Sequence, residues 1–344
     1  MKALGFHEHG PLDNIKLVDA TMPAAGPGEV LLEVKAAALN HLDLWVLAGW
    51  PGLDLEKPHV LGSDGAGVVA AVGEGVENFA PGDRVAVNPT LSCGICHFCL
   101  TGRDNMCLRF AIIGEHVPGF YGQYRNVPAR NLLKLPDQIS FAQAAAAALV
   151  FVTAWHSLLV RGNLQAGEDV LVIGAGGGAN TAYIQIAHLA GARRIYVVGS
   201  SDEKLALAES LGADVLINRN KEDWGKAVFK ATNRQGVDIV VDNVGEATFH
   251  SSLRSLKRGG RLLTVGNTSG AKFTFDNRLM FGKHLSIVGS TMGPIADFEQ
   301  VMEMVFAGKL EPVIDSIYPL DEGVTAIRRL AEGDVHGKLV LEIS

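Results

Sequence analysis

The stretch Asp169-Val170-Leu171-Val172-Ile173-Gly174-Ala175-Gly176-Gly177-Gly178-Ala179-Asn180 decides how this chain folds. Val170 to Ile173 is short and wholly apolar, the composition of a strand buried on both faces of a parallel sheet. Four glycines follow within five residues, and Thr181 to Leu189 then reads as a helix. Strand, glycine turn and helix in that order aim free backbone N–H groups and a positive dipole end at an anion. Gly174-x-Gly176-x-x-Ala179 fits the dinucleotide pattern, whose last position takes Gly or Ala; a second register ends on Asn180. Glycine turns also serve close helix–strand packing alone, so the surroundings of the motif decide.

Those surroundings favour a nucleotide. Ile195 to Val198 is a second apolar strand, and it ends at Gly199, where an acidic residue would grip an adenosine ribose. Gly199-Ser200-Ser201 stands there instead, with Lys204 one turn along and Arg219 after the next strand, Val215 to Ile217. A carboxylate about 4 Å from a 2′-phosphate would cost about 4 kcal/mol per unit-charge pair at an effective dielectric near 20. Glycine removes that repulsion, and Ser200, Lys204 and Arg219 are placed to donate to the phosphate. The pattern favours NADP(H) over NAD(H), although Asp202 close by argues the other way.

With 344 residues and 48% hydrophobic content the chain can build two cores. A net charge of -7 gives no electrostatic footprint for nucleic acid, and no basic run points to an anionic membrane. The first residues lack the apolar length of a signal peptide, and the longest apolar region, Ala144 to Trp155, is too short to span a bilayer. A cytoplasmic protein is expected. All four cysteines lie between Cys93 and Cys107, which suits one metal site better than a disulfide framework.

Up to about residue 130 the chain reads as short strands: Lys2–Phe6, Ile15–Val18, Val30–Ala38, Gly67–Val72 and Arg84–Val87. Such close spacing predicts a small barrel-like domain, with a helical turn over Asn40 to Leu47. Two helices are expected next, Ser140–Leu149 and Thr153–Arg161. Strands at 170–173, 195–198, 215–217, 238–241, 261–265 and 285–288 then alternate with helices, the rhythm of an open parallel sheet. The tail, with helices at Phe298–Ala307 and Val324–Ala331 and a strand at Lys338–Ile343, is expected to return to the first domain.

Several further motifs occur in order: Gly28-Glu29-Val30-Leu31, Gly62-Ser63-Asp64-Gly65-Ala66-Gly67, Gly73, and Pro81-Gly82-Asp83-Arg84-Val85. Together with the glycine turn they resemble the medium-chain dehydrogenase/reductase family, which includes zinc alcohol dehydrogenases and quinone oxidoreductases. The resemblance runs over the whole length. It implies a GroES-like β-barrel catalytic domain (1–150 and 290–344), a Rossmann domain with a doubly wound parallel sheet (151–289), a cleft between them, and a homodimer or homotetramer acting on a small carbonyl compound.

Cys93, Cys96, Cys99 and Cys107 match the family's structural-zinc lobe. Four thiolates close a tetrahedral shell and leave no position for a substrate. The family's catalytic zinc is held by a Cys, a His and a Cys; the positions matching them here are Asn40, Ser63 and Leu149. Leucine cannot ligate, serine is a poor ligand, and an asparagine amide is weaker than thiolate or imidazole. No zinc is therefore expected at that place, with rescue by His41, His59 or His156 left open. The relay hydroxyl of the family is replaced by Leu42, while Asp64 and Asp43 keep carboxylates nearby.

Hydride delivery to a carbon activated by conjugation needs no metal. Quinone and enone reductases of this family resemble the chain in carrying Asn at the position of Asn40. Asn40, with Asp43 beside it, is the candidate for orienting the substrate; a helix cap at His41 is the competing role. His41 matches a pyrophosphate contact and Thr153 a nicotinamide contact of the family. Asn243, Val244, Val265, Gly266, Asn267 and Ser290 follow sheet strands, where open α/β sheets bind ligands. Lys338 is placed to reach a phosphate, with a solvated charge as the competing role, and Trp45, Trp50, Phe120 and Tyr121 either line the substrate cleft or serve as ordinary packing. The expected activity is NADPH-dependent reduction of a quinone, enone or other carbonyl. The alternatives are an alcohol dehydrogenase or ketone reductase, and a cofactor-binding protein with a structural or regulatory role.

Overall fold

The computed structural model describes residues 1–344, and the chain divides into two compact units, Met1–Leu149 with Gly293–Ser344, and Val150–Met292. The first unit opens with β1 (Lys2–Phe6), β2 (Lys16–Asp19), β3 (Glu29–Ala38), α1 (His41–Ala48), β4 (His59–Val60), β5 (Asp64–Val72) and β6 (Arg84–Val87). A lobe follows, with β7 (Thr90–Leu91), α2 (His97–Leu100) and β8 (Ala111–Ile112); β9 (Tyr124–Pro128), β10 (Leu132–Lys134) and α3 (Phe141–Trp155) come next.

The second unit contains β11 (Asp169–Ile173), α4 (Gly178–Leu189), β12 (Arg194–Gly199), α5 (Asp202–Ser210), β13 (Val215–Asn218), α6 (Trp224–Ala231) and β14 (Val237–Asp242). It is completed by α7 (Phe249–Ser255), β15 (Leu256–Thr264), α8 (Asn277–Lys283) and β16 (Ser286–Gly289). The tail supplies α9 (Ile295–Phe306), β17 (Ile314–Pro319), α10 (Gly323–Glu332) and β18 (Lys338–Glu342).

All six strands of the second unit are parallel, in the order β13-β12-β11-β14-β15-β16. This is the doubly wound arrangement, with the first strand central and the order reversing beside it. Val170 to Ile173 are at most 1% exposed, as a strand covered on both faces requires. Each such side chain contributes roughly 1.5–3 kcal/mol of burial. Tyr196, Val228, Phe249 and Leu253 close the same core from neighbouring elements.

In the first unit β3 is the organising strand. It pairs antiparallel with β5 on one side and β18 on the other, and with β9 along its first half. β18 in turn pairs parallel with β17, so the last residues of the chain complete the barrel sheet. The two expected helices at 140–161 form one continuous helix instead. α3 runs on into a π-helical stretch, His156–Arg161, without a break. Its side chains are apolar on every side, so no stripe marked the continuity. At 21 residues, with an 18-residue window of mean hydropathy 1.6, this helix is long and apolar enough to cross a membrane, which corrects the expectation that no such segment exists; 67% of that window is buried inside the folded chain, the situation of a core helix.

Candidate functional site

Asn40, His41, Asp43, Lys338, the four cysteines and the aromatic candidates lie in the first unit; Thr153 and the candidates from Gly174 to Ser290 lie in the second. In the first, the end of β3 gathers the chemistry. Ala38, its last residue, pairs with Asp64 at the start of β5 and with Val340 near the start of β18. Asn40, Asp64 and Lys338 are thereby brought together from three distant segments. Lys338 Nζ donates to Asn40 Oδ1 at 2.6 Å and to Asp64 Oδ2 at 2.9 Å. Asn40 Nδ2 donates to Asp64 Oδ2 at 2.8 Å and weakly to the Ala38 carbonyl at 3.4 Å. Asp64 Oδ1 accepts the Leu149 N–H at 2.7 Å. Lys338 is 4% exposed and Asp64 0%, so this is a buried, hydrogen-bonded ion pair.

Lys338 is thus neither exposed nor a solvated charge: two of its ammonium hydrogens are held by Asn40 and by the Asp64 carboxylate, a partner that offsets the cost of desolvating a charge. Asn40 differs from expectation as well. Both its N–H groups point at acceptors within the protein, which leaves no donor free for a substrate oxygen. It also stands as the residue before α1, and its own N–H is taken by Asp43 Oδ2 at 2.8 Å, the reciprocal half of a capping arrangement.

Asp43 is 1% exposed and accepts the Tyr121 hydroxyl at 2.6 Å on the same oxygen, while Oδ1 has no partner. Burial pushes its carboxyl up to about 6, opposed by the Tyr121 and Asn40 hydrogen bonds and by Lys338. Tyr121 is itself pushed well upward, by burial first and then by Asp43. Phe120 and Tyr121 are fully buried, and so are core residues, not cleft walls. They fit because Gly62 and Gly65 have no side chain: a Cβ would lie 2.3 Å from the Tyr121 ring and 2.5 Å from the Phe120 ring. The buried Ser63 hydroxyl, between those glycines, has no partner.

His41 is half-buried, packs its ring edge-on to Trp45 at 5.4 Å, and has its pKa lowered by burial. His59 Nε2 donates to the Gly114 carbonyl, 3.0 Å away, and burial lowers its pKa to about 4. Neither converges with other ligand types. The donor set at Asn40, Ser63 and Leu149 does not fit a zinc ion. A divalent ion about 4 Å from the Lys338 ammonium would meet a repulsion of about 8 kcal/mol at an effective dielectric near 20.

The cysteines are arranged differently. Their sulfur atoms all lie within 4.8 Å of one another, with Cys96–Cys99 at 3.5 Å, Cys93–Cys99 at 3.8 Å and Cys96–Cys107 at 3.9 Å. Zn–S bonds of about 2.3 Å in a tetrahedron require sulfurs about 3.8 Å apart, so the group fits a zinc ion. The Ile95 N–H, ahead of other backbone donors, lowers the Cys93 thiol to about 5. His97 is exposed and adds no ligand.

In the second unit the candidate residues collect at the ends of the parallel strands. Gly174 follows β11 with φ +109°, which an L side chain resists. Gly177 precedes α4 with no side-chain cap, so the N–H groups of Gly178, Ala179 and Asn180 have no partner in the helix's first turn. Lys204 lies over the turn, its Cδ 2.8 Å from where a Cβ on Gly176 would be. Asn180 Oδ1 accepts from Asn243 Nδ2 at 2.9 Å and Asn180 Nδ2 donates to the Ile173 carbonyl at 3.3 Å, so these side chains tie the start of α4 to the ends of β11 and β14. Val244 likewise gives its N–H to Asp242 at 2.9 Å. Asp242, unnoticed in the sequence, is buried and also accepts from Gly245, Thr248 and Ser252, which fixes this loop.

Gly199 ends β12; a Cβ there would sit 2.8 Å from Leu205 and 3.1 Å from Ala175. The Ser200 carbonyl accepts from Asn220 at 2.7 Å, and Arg219 is exposed at the end of β13. Asp202 is drawn to Lys221 at 2.5 Å and to Asn218 at 2.8 Å. Val265, Gly266, Asn267 and Ser290 line a cavity of about 440 Å³ at the ends of β15 and β16, where the Ser290 hydroxyl has no partner. Thr153 donates to the Met292 sulfur at 3.6 Å. Free N–H groups at a helix start and an unpartnered hydroxyl in a cavity fit a dinucleotide along these strand ends.

Residues 26–137 match the alcohol dehydrogenase GroES-like domain, and residues 180–307 match the zinc-binding dehydrogenase family. The NAD-dependent alcohol dehydrogenase of Sulfolobus acidocaldarius is 34% identical over the full length of both chains. Acryloyl-coenzyme A reductase of Metallosphaera sedula is 31% identical over 99% of each. A crystal structure described as an NAD-dependent alcohol dehydrogenase superposes with a TM-score of 0.96 at 43% identity, covering 100% of both chains. The chain belongs to the medium-chain dehydrogenase/reductase family, in its zinc-containing alcohol dehydrogenase-like branch. It is an oxidoreductase with a nicotinamide cofactor that acts on a small molecule.

Proposed function

We propose that the chain is an NADP(H)-dependent reductase of quinones, enones or related carbonyl compounds, working without a metal ion at the substrate oxygen. The observation that carries this reading is the buried Asn40–Asp64–Lys338 cluster, in which Asn40 stands at a position matching a metal ligand and Asp64 follows another, Ser63. The cofactor, when bound, supplies the hydride. Asp64 and Asn40 hold the Lys338 ammonium, which has a third N–H to offer to an oxygen that gains negative charge. Asp43 fixes the Asn40 backbone, so Asn40 and Asp43 act as orienting residues. Solvent supplies the proton to the enolate- or hydroquinone-like product.

The name of the Metallosphaera sedula relative, a reductase of a conjugated acyl thioester, supports the preference for a conjugated substrate. The names of the alcohol dehydrogenase relatives favour the second reading, an alcohol dehydrogenase or ketone reductase. Preference for the 2′-phosphate rests on Gly199, which excludes a carboxylate, and on Ser200, Lys204 and Arg219. Exposed Ile287 on the edge strand β16 supports a homo-oligomer, and we place the enzyme in the cytoplasm.

The test is a panel of quinones, enones, ketones and alcohols with NADPH and NADH, alongside zinc counting. Turnover of quinones or enones with one zinc per chain is expected. Turnover of alcohols alone, with two zinc ions per chain, would sink the reading. Arg219→Ala is expected to weaken NADPH binding about tenfold, or about 1.4 kcal/mol, and NADH binding little.

A further inference from the structure

The second unit carries a cavity of about 1280 Å³ walled by α6, α7 and α8, sharing no residue with the glycine turn or with the cavity at β15 and β16. In a chain of net charge -7, its walls bear Lys226, Lys230, Arg234, Arg254, Arg278 and Lys283 against only Asp223 and Asp276. The i,i+4 spacing puts Lys226 with Lys230, and His250 with Arg254, on one face of each helix. Both carboxylates are already engaged: Asp223 caps α6 and pairs with Lys226 at 3.2 Å, and Asp276 caps α8 and pairs with Arg278 at 2.8 Å.

Lys230, Arg234 and Arg254 have no acceptor for their side chains within the protein. Lys283 donates only to the neutral carbonyls of Arg254 and Leu256, at 3.0 and 2.6 Å. Its pKa is lowered, first by burial and then by Arg254 and Arg258, so the cations press on one another. Folding gathers these charges at a cost, and a multivalent anion removes it by answering several of them at once. A concave wall of this size suits a small ligand rather than the flat face a macromolecule would use. Fork-shaped guanidinium groups beside ammonium groups match phosphate oxygens.

We propose that this cavity is a second anion site, taking a small molecule that bears a pyrophosphate group. The experiment is calorimetric titration of the full chain with inorganic pyrophosphate, with and without NADPH, the variant below separating this cavity from the cofactor site. One saturable site is expected, weakening as salt is raised. The double variant Lys230→Ala/Arg254→Ala, both exposed positions, is expected to lose at least tenfold in pyrophosphate affinity while keeping its circular dichroism, cofactor affinity and turnover. Absence of saturable binding, or unchanged affinity in that variant, would overturn the site. Orthophosphate binding as tightly as pyrophosphate would overturn the ligand assignment.

Discussion

Two polar clusters of the first unit make an instructive pair. In the lobe, four sulfurs converge at distances set for a tetrahedral ion and have only one another and backbone N–H groups as partners. At the end of β3, Asn40, Asp64 and Lys338 have answered one another's charges and hydrogen bonds already. The first cluster is incomplete without an ion; the second is complete without one. A ligand set is thus recognised by what its members lack, more than by how many heteroatoms it contains.

The most severe way to break the contrast is to remove a thiol. Cys96→Ser is expected to lower the zinc content by one ion per chain and unfold the lobe, since structural zinc sites supply on the order of 10 kcal/mol of folding energy. Elemental analysis with limited proteolysis between residues 90 and 112 checks this, and an unaltered zinc content would break it. Next in size, Lys338→Met leaves Asp64 buried without its countercharge and is expected to cost about 3–5 kcal/mol in urea denaturation. Asp64→Asn in the same chain should recover most of the loss; no recovery would mean that the pair is not the unit of stability.

Asp43 offers a smaller, pH-resolved effect. Its folded pKa of about 6 lies above the ordinary 3.8, so its contribution is fully present below about 3.8 and is lost as pH rises through about 6. The difference amounts to about 3 kcal/mol. Asp43→Asn should remove that loss, so the variant gains stability relative to the parent between pH 4 and 7.5. A constant difference across that range would count against the buried carboxylate. Smallest of all, Ser63→Ala removes an unpartnered buried hydroxyl and is expected to stabilise by up to about 1 kcal/mol, with zinc content unchanged. A fall in bound metal would instead assign Ser63 to an ion.

The parallel sheet was legible because its strands are unbroken Val, Ile and Leu runs and its first turn is almost all glycine. Ile314–Pro319 escaped notice because Asp315, Ser316 and Pro319 dilute its alternation on a half-exposed strand. The cysteine lobe was legible because its ligands lie within fifteen residues. The cluster at β3 was not, since Lys338 meets partners 298 and 274 residues away, and only the β3–β18 pairing brings them together. Residue types told only that Asn40, Ser63 and Leu149 are poor zinc donors, and they carried no sign of the ion pair beside them.

Gly199 carries a consequence for changing the cofactor. The atom that would bear an acidic group there is barred by Leu205 and Ala175, so an aspartate cannot be introduced without hollowing out Leu205 as well. An acid to grip a ribose at this strand end would therefore have to come from the neighbouring turn, whichever dinucleotide the chain takes.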